Sequence, residues 1–167
     1  MRLIVGSLVS LYLTLAGVGA VAEDGIPVGA LVIENAWTRP IGSGARTTAV
    51  YLTIRNTGGA DDRLVAAMSD AAERVELHVH RHEGDVARMV RVPAIDVPAQ
   101  GRATLAPGAA HVMLIGPKGA LSEGATLRLR LAFEKSGPVS IEVPVRRRPP
   151  AAMSGGQGAG HGGEHKP

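Results

Sequence analysis

Apolar residues recur at every second position through much of the chain between residues 31 and 145. The segment ATLRLRLAF, at 125–133, places leucines and a phenylalanine on one side and two arginines on the other. The segment VSIEVPV, at 139–145, alternates in the same way, while AVYLTIRN and RVELHV alternate less regularly but are rich in β-branched and aromatic residues. Because successive side chains of a β-strand point to opposite faces, this period predicts strands that each bury one face.

Turn signals separate these segments. Clusters of Gly, Pro, Asn, Asp and Ser occur at 56–59, 83–85, 107–108 and 136–138. Short strands at this spacing, without long helical patterns, are typical of an antiparallel sandwich or barrel. The sequence therefore predicts an all-β fold, an antiparallel β-sandwich or barrel, and its length suits one domain.

The first 22 residues have a different character. Met1-Arg2 precedes a long apolar run that ends in Ala20-Val21-Ala22, and Glu23-Asp24 follows. A basic start, an apolar middle and an Ala-x-Ala end predict a secretory signal peptide at 1–22, cleaved after Ala22. The run is also long enough to span a bilayer, which leaves an uncleaved anchor as the alternative. After cleavage, no other segment is expected to cross a membrane.

Composition changes abruptly after Val145. The last residues read RRRPPAAMSGGQGAGHGGEHKP, with Pro-Pro followed by a Gly-rich run. Such a stretch has almost nothing to bury and is predicted to be disordered. The predicted organisation is a signal peptide at 1–22, a folded domain at 23–146 and a disordered tail at 147–167.

Cysteine is absent from this sequence, which excludes disulfides, thiolate metal ligands and a lipid-modified cysteine within it. Residues 23–146 are numerous enough to form an apolar core without such links. Cleavage of the signal removes one of the 18 basic residues, Arg2, and leaves 17 against 15 acidic ones. This near balance and the scarcity of aromatic residues argue against a nucleic-acid partner.

Histidines alternate along one predicted strand. In LHVHRH, at 77–82, His78, His80 and His82 share one strand face, while Leu77 and Val79 point toward the core. The segment VARMVRV, at 86–92, is predicted to return as the second strand of a hairpin.

A hairpin centred between Glu83 and Gly84 would pair His78 with Met89. Directly opposed residues have Cβ atoms about 4.5–5.5 Å apart, close enough for both side chains to reach one ion. A bulge or another turn would shift this register. The same register predicts two apolar pairs, Leu77 with Val90 and Val75 with Val92.

A second strand carries the same two residue types. In HVMLIG, at 111–116, His111 and Met113 face away from Val112 and Leu114. Imidazole and thioether donors, without carboxylate or thiolate, favour Cu(I) over hard cations, whereas zinc more usually takes Cys, His and carboxylate. We therefore predict a neutral Cu(I) site on exposed strands that transfers its ion by ligand exchange rather than catalysing a reaction.

Packing or solvation is the alternative interpretation of each residue taken alone. A lone strand methionine is usually a packing residue, and Met68 is interpreted in that way. His82 is interpreted as a solvated surface side chain. Met89 and Met113 would also be packing residues by themselves, but their association with histidines on the face away from the core favours metal binding.

The spacing of these residues is itself a motif. Their order and spacing resemble the H-x10-M-x21-H-x-M signature of the periplasmic copper chaperone family PCu(A)C, or DUF461. The four positions of the signature are occupied by His78, Met89, His111 and Met113. The similarity opens at AWTRP, 36–40, and runs to about Val145, nearly the whole predicted domain. The other segments that carry the resemblance are AVYLTIRNTG, DDRLV, RVELH, LAPGAAHVMLIG and FEKSGPVSIEVPV.

The resemblance implies a cupredoxin-like β-sandwich, a periplasmic location, and Cu(I) binding by His78, Met89, His111 and Met113. It also implies copper delivery toward cytochrome c oxidase, with oxidase subunit II or a Sco-type protein as the acceptor. The sequence departs from the family where a methionine often follows two residues after the first histidine. Here that position is His80, a possible additional ligand that would harden the site and let Cu(II) compete.

The tail offers further donors of the same kind. His and Met are among its few larger residue types, so Met153, His161 and His165 are interpreted as accessory metal ligands, with chance composition as the alternative. Many members of the resembled family carry a His- and Met-containing extension of this sort, which implies Cu(II) binding by the tail.

Two other functions remain open on the sequence alone. One is a copper-sequestering or resistance protein with the same site but no specific acceptor. The other is an exported β-sandwich interaction module that binds no metal. An enzyme is not predicted, because we find no paired catalytic carboxylates, no Ser/His/Asp arrangement and no phosphate-binding Gly loop.

Overall fold

The computed structural model describes residues 25–84 and 86–154. The predicted signal peptide and the tail beyond residue 154 lie outside these residues. The described chain forms strands β1 (Ile26–Val28), β2 (Leu31–Thr38), β3 (Thr47–Asn56), β4 (Asp62–Met68), β5 (Ala72–Glu83), β6 (Val86–Arg91), β7 (Ile95–Val97), β8 (Arg102–Leu105), β9 (His111–Pro117), β10 (Thr126–Phe133) and β11 (Gly137–Pro144), and one short helix, α1 (Ala151–Ser154).

The strands form two packed sheets. The larger sheet has the order β1-β2-β3-β9-β5-β6, with β8 also paired to β3, and the smaller has the order β11-β10-β4-β7. All of these strand pairs are antiparallel. The predicted antiparallel β-sandwich is therefore confirmed.

The core lies between the sheets, where the alternating strands place it. In β10, Leu129 and Leu131 are buried while Arg128 and Arg130 are exposed, as the sequence predicts. In the larger sheet the core-facing residues include Leu77 of β5 together with Val112 and Leu114 of β9. Burial of each such aliphatic side chain contributes about 1.5–3 kcal/mol to stability. The opposite side of the larger sheet, called the outer face below, carries the alternate residues.

A bulge in β2 sends one aromatic residue to the outer face. Asn35 has a φ of 56°, and the pairing of β2 with β3 shifts between Glu34 and Trp37. Because of the extra residue, Trp37 lies opposite Tyr51 rather than facing the core. Trp37 is fully buried all the same, outside the main core cluster.

The described chain continues past residue 146 along the β1–β2 side of the sandwich. Arg147 forms an ion pair with Glu123 at 2.6 Å, and Pro150 is buried in a cleft that Ile26 and Ala36 also line. α1 follows. Within the described residues, no helix is both long and apolar enough to cross a membrane.

A buried carboxylate joins β4 to the turn between β10 and β11. Asp62 accepts hydrogen bonds from the backbone N–H groups of Arg63 at 2.7 Å, Lys135 at 3.0 Å and Ser136 at 2.9 Å. Burial alone would raise the pKa of Asp62, but the hydrogen bonds from Ser136, Lys135 and Arg63 outweigh it and lower the pKa below 3.8. The ionised carboxylate therefore stabilises this end of the smaller sheet.

Replacing Asp62 with Asn is expected to reduce the free energy of unfolding at pH 7 by about 1.5–3 kcal/mol, since hydrogen bonds to a charged acceptor are lost. Because folding depresses the pKa, the wild-type advantage is complete above pH 4 and is lost as the pH falls through the lower folded-state value. Urea unfolding at several pH values measures both effects. Asp70→Asn, at an exposed position, is the control and should change stability by less than about 0.5 kcal/mol. An equal loss for Asp62→Asn at pH 7 and at pH 2 would contradict this account.

Candidate metal site

Three neighbouring strands bring the predicted donors to one region of the outer face. β9 lies between β3 and β5, and β6 is the edge strand beyond β5. The pairing of β5 with β9 places His78 opposite His111 and Glu76 opposite Met113. The ring centroids of the two histidines are 5.8 Å apart. Because Val112 and Leu114 belong to the core, His111 and Met113 must lie on the outer face.

The predicted register of the β5–β6 hairpin is wrong by two residues. Met89 lies opposite His80, and His78 lies opposite Arg91. The turn begins later than expected, because Glu83 still pairs with Val86 and Gly84 enters the turn with a φ of 63°. Glycine adopts this positive φ without a steric penalty, which favours it at the first central position of a tight hairpin turn.

The predicted apolar pairs shift with the hairpin. Val90 lies opposite Val79 rather than Leu77, and the backbone N–H of Val92 donates to the carbonyl of Leu77 at 2.9 Å, so Val75 does not pair with Val92. A shift of two residues preserves the alternation of faces, whereas a shift of one would reverse it. Met89 and the histidines therefore still share the outer face, although the partner of Met89 is different.

His111 is held so that one ring nitrogen is left without a partner. Nδ1 lies 3.1 Å from the carbonyl oxygen of Ala109, in the tight turn before β9. A carbonyl only accepts, so Nδ1 donates its proton and Nε2 of the neutral ring carries the lone pair. Nε2 is buried and has no hydrogen-bond partner. Burial lowers the pKa of His111 below 6.5 against the opposing effect of the bond to Ala109, and His80 and His78 add smaller lowering effects, so the neutral ring predominates at pH 7.

His78 is oriented by a carboxylate on the same strand. Its Nε2 donates to Oε2 of Glu76 at 2.9 Å, and this bond, opposed by desolvation and assisted by Arg91, lowers the pKa of Glu76. In the neutral ring Nδ1 then carries the lone pair, and Nδ1 is also buried without a partner. A carboxylate on the far nitrogen of an imidazole is the usual way in which proteins orient a metal-binding histidine. Sequence reasoning missed Glu76, although its position two residues before His78 places it on the same face.

The remaining donors differ in exposure. Met113 is only 8% exposed, contrary to the predicted exposed site, whereas Met89 is 47% exposed on the edge strand. His80 is partly buried, and its ring centroid lies 5.5 Å from that of His111. The group is therefore closed on the β9 side and open toward β6.

An aromatic pair borders the site on the side away from β6. Tyr51 lies edge-on to His111 with ring centroids 6.4 Å apart, and Trp37 lies 5.0 Å from Tyr51. Arg39 stands over the Trp37 ring at 5.9 Å. Burial raises the pKa of Tyr51, against a smaller opposing effect of Arg39, so its hydroxyl stays protonated at neutral pH. Only the bulge in β2, which no sequence signal indicated, brings Trp37 to this face.

Among the other predicted donors, the one that the structure describes lies elsewhere. Met153, in α1, follows the β1–β2 side of the sandwich, whereas the site opens toward β6 at the far edge of the larger sheet. His161 and His165 lie outside the described residues. Met68 is 52% exposed on β4 of the smaller sheet, so its interpretation as a packing residue is wrong.

Nitrogen and oxygen ligands alone do not form a metal site in the described part of the chain. As the side chains stand, no three His, Asp or Glu residues there are grouped so that they could hold an ion. Two thioether side chains lie on the same face of the sheet, Met113 two residues after His111 on β9 and Met89 opposite His80 on β6. This donor set fits a soft monovalent ion better than a hard divalent one.

Comparison with known proteins supports the resemblance read from the sequence. Residues 31–145 match the family described as “LpqE-like: Putative lipoprotein LpqE-like”. The chain is similar to “Putative lipoprotein Lxx21020” of Leifsonia xyli subsp. xyli, with 31% identity over 115 residues that cover 68% of each protein. The present sequence contains no cysteine to carry a lipid of the kind those names imply.

Solved structures of the same architecture are known. The “Copper-bound PCuAC domain from PmoF2” superposes with a TM-score of 0.65 and 29% identity, covering 74% of this chain and 98% of that one. The “Solution structure of CuI-DR1885 from Deinococcus Radiodurans” gives a TM-score of 0.58 and 29% identity, covering 74% of this chain and 80% of that one. The predicted family resemblance is thus confirmed.

The tautomers of the two central histidines can be measured directly. In the metal-free protein at pH 7.5, long-range ¹H–¹⁵N spectra are expected to show His111 protonated at Nδ1 and His78 at Nε2. The titration midpoint of His111 should lie below 6.5, because burial disfavours the charged ring. Glu76→Leu should abolish the preference of His78 and leave His111 unchanged. Detection of His111 as the Nε2–H tautomer would contradict the proposed free lone pair.

Proposed function

The chain belongs to the LpqE-like family, which is of the PCu(A)C type, and on that premise we propose that it binds one Cu(I) ion and passes it to an acceptor protein. The proposed ligands are His78, Met89, His111 and Met113. Copper is the cargo of this protein rather than a catalytic cofactor.

The observation that carries the proposal is the pair of buried, unpartnered imidazole nitrogens, Nδ1 of His78 and Nε2 of His111. A buried polar atom without a partner costs about 1–3 kcal/mol, so folded proteins rarely retain one without a reason. Each nitrogen presents a lone pair, because the opposite nitrogen of its ring is committed to Glu76 or to Ala109. A bound cation between the two rings would satisfy both lone pairs together.

The sulfur donors favour copper in its monovalent state. Met113 is adjacent to both histidines in the sheet, and Met89 lies on the neighbouring strand. Thioethers are soft, neutral ligands, and with imidazoles they select Cu(I) over zinc, magnesium or calcium. The similarity to domains described as copper-bound and as CuI forms supports the same assignment.

The uneven exposure of the ligands supports transfer rather than permanent storage. Met113 and His111 are buried, while Met89 is half exposed at the edge of the sheet. An incoming ligand from another protein can displace Met89 first, while His111 and Met113 still hold the ion. Stepwise exchange of this kind suits a carrier.

The family resemblance supports a specific destination for the copper. We propose delivery toward the copper centre of cytochrome c oxidase, through subunit II or a Sco-type protein, in the periplasm after export by the signal peptide. Met153, His161 and His165 are proposed to add a Cu(II)-binding function in the tail. Relatives described as lipoproteins are consistent with an exported protein.

Replacing both Met89 and Met113 with Leu is expected to abolish tight Cu(I) binding and to retain the fold. Leucine nearly conserves the volume of methionine, so the cost in stability should stay below about 1.5 kcal/mol for each site. Loss of a group that is hydrogen-bonded to a metal ligand typically lowers metal affinity by roughly 10–100-fold. Loss of two ligands should lower the Cu(I) affinity by more than this. Competition with the chromophoric chelator bicinchoninate measures it.

Met68→Leu is the matched control, because Met68 is equally exposed but lies on the other sheet. It should leave Cu(I) affinity unchanged. Unchanged affinity in the Met89/Met113 double variant would refute the ligand assignment, and no Cu(I) binding by the wild-type chain would favour the metal-free interaction module.

Delivery can be separated from sequestration by a transfer experiment. The Cu(I)-loaded protein is mixed with the metal-free soluble domain of oxidase subunit II, and copper is quantified in each protein after they are separated. A chaperone should transfer copper faster than a small chelator of equal affinity takes it. Transfer no faster than the chelator would favour a sequestering protein.

A further inference from the structure

His80 lies where an additional ligand would complete a second coordination set. Its position on β5 is directly opposite Met89, and its ring centroid is 5.5 Å from that of His111. The corresponding separation of His78 and His111 is 5.8 Å. The rings of His78 and His80 therefore both neighbour the ring of His111 on the outer face.

The ring of His80 is less constrained than the other two. His78 is fixed by Glu76 and His111 by Ala109, but no hydrogen bond holds His80 to another described residue. Its side chain is only partly buried and lies next to the open edge of the sheet. As no three nitrogen or oxygen donors among the described residues already form a metal site, a third imidazole has to turn to reach the ion.

The donors around His111 thus form two overlapping sets. One has two imidazoles and two thioethers, and the other has three imidazoles. Cu(I) is soft and favours the sulfur-containing set, whereas Cu(II) is harder and favours nitrogen. Both sets share the two fixed rings. In the second set His80 takes the place of Met89, which it faces across a strand pair with Cβ atoms about 4.5–5.5 Å apart, and Met113 is not used.

We propose that His80 makes this site competent for Cu(II), replacing Met89 in a three-imidazole set with His78 and His111, while the Met89-containing set holds Cu(I). The inference rests on the proposed copper function and adds a second form of its cargo. It assigns to the folded domain a Cu(II) site separate from the tail. The consequence is a carrier that accepts copper in either oxidation state at one place.

The test compares single variants for both ions. All samples carry His161→Ala and His165→Ala in the full chain, so that the tail does not supply imidazoles. Cu(II) affinity is measured by competition with nitrilotriacetate, and Cu(I) affinity by competition with bicinchoninate. Continuous-wave and pulsed electron paramagnetic resonance counts the imidazole nitrogens bound to Cu(II).

His80→Leu is expected to weaken Cu(II) binding at least about tenfold, the lower limit for loss of a group that supports a metal site, and to change Cu(I) affinity much less. The number of coordinated imidazoles should fall from three to two. Met89→Leu should do the reverse, weakening Cu(I) and leaving Cu(II) nearly unchanged. Each tenfold loss of Cu(II) affinity at constant Cu(I) affinity raises the reduction potential of bound copper by about 59 mV.

Two further variants serve as controls. His82→Leu removes an imidazole from the next outer-face position of β5, opposite Ala87 instead of Met89, and should have no effect on either ion. His80→Met restores a side chain of similar length and should bind Cu(I) normally while losing Cu(II) affinity. Circular dichroism confirms that each variant is folded.

The outcomes separate this inference from the function on which it rests. Suppose that Cu(I) binding depends on the methionines, but that Cu(II) affinity is unchanged in His80→Leu or falls equally in His82→Leu. That result overturns the Cu(II) proposal alone. If Cu(II) binding requires His80 but Cu(I) binding does not depend on the methionines, the proposal of a Cu(I) carrier is overturned and the three-imidazole site is retained. Loss of Cu(II) binding in His80→Leu but not in His82→Leu, with Cu(I) retained, supports both.

Discussion

The arrangement of β9 between β3 and β5 is the constraint on which the site depends. Val112 and Leu114 anchor the strand in the core, so His111 and Met113 are fixed on the outer face and cannot turn away without disrupting the sandwich. Covered by neighbouring side chains, His111 presents a lone pair that nothing in the described chain satisfies. The stability that the apolar core supplies offsets the cost of burying this nitrogen without a partner. The nitrogen is therefore held in a fixed position in the metal-free protein.

The two sides of the site have different mechanical roles. On the β9 side, hydrogen bonds from His111 to Ala109 and from His78 to Glu76 fix both rings, and Met113 is buried. On the β6 side, Met89 lies on the edge strand and His80 lies opposite it on β5, both with fewer restraints. In the proposed copper carrier, the rigid side would keep the affinity and the open side would permit exchange of ligands. A fully enclosed site would hold copper more tightly and release it more slowly, which suits storage more than transfer.

Sequence reasoning gives the fold and a set of candidate donors, but not their contacts. The alternation in β10 reports burial directly, because a leucine or an arginine at successive positions leaves one solution for the strand's orientation. The His80–Met89 pairing was not predictable in the same way, since it depends on which residue begins the turn, and a shift of two positions preserves every face. Trp37 reaches the outer face only through the bulge at Asn35, which leaves no periodic signal. The role of Glu76 depends on a rotamer, although its face was predictable.

X-ray absorption spectroscopy of the Cu(I)-loaded protein tests the central claim most directly, because it identifies the atoms bound to the metal. We expect the copper to be bound by two imidazole nitrogens and two sulfur atoms, supplied by His78, His111, Met89 and Met113. Since the sequence contains no cysteine, any sulfur in that shell must come from methionine. A first shell composed only of nitrogen and oxygen would contradict the assignment.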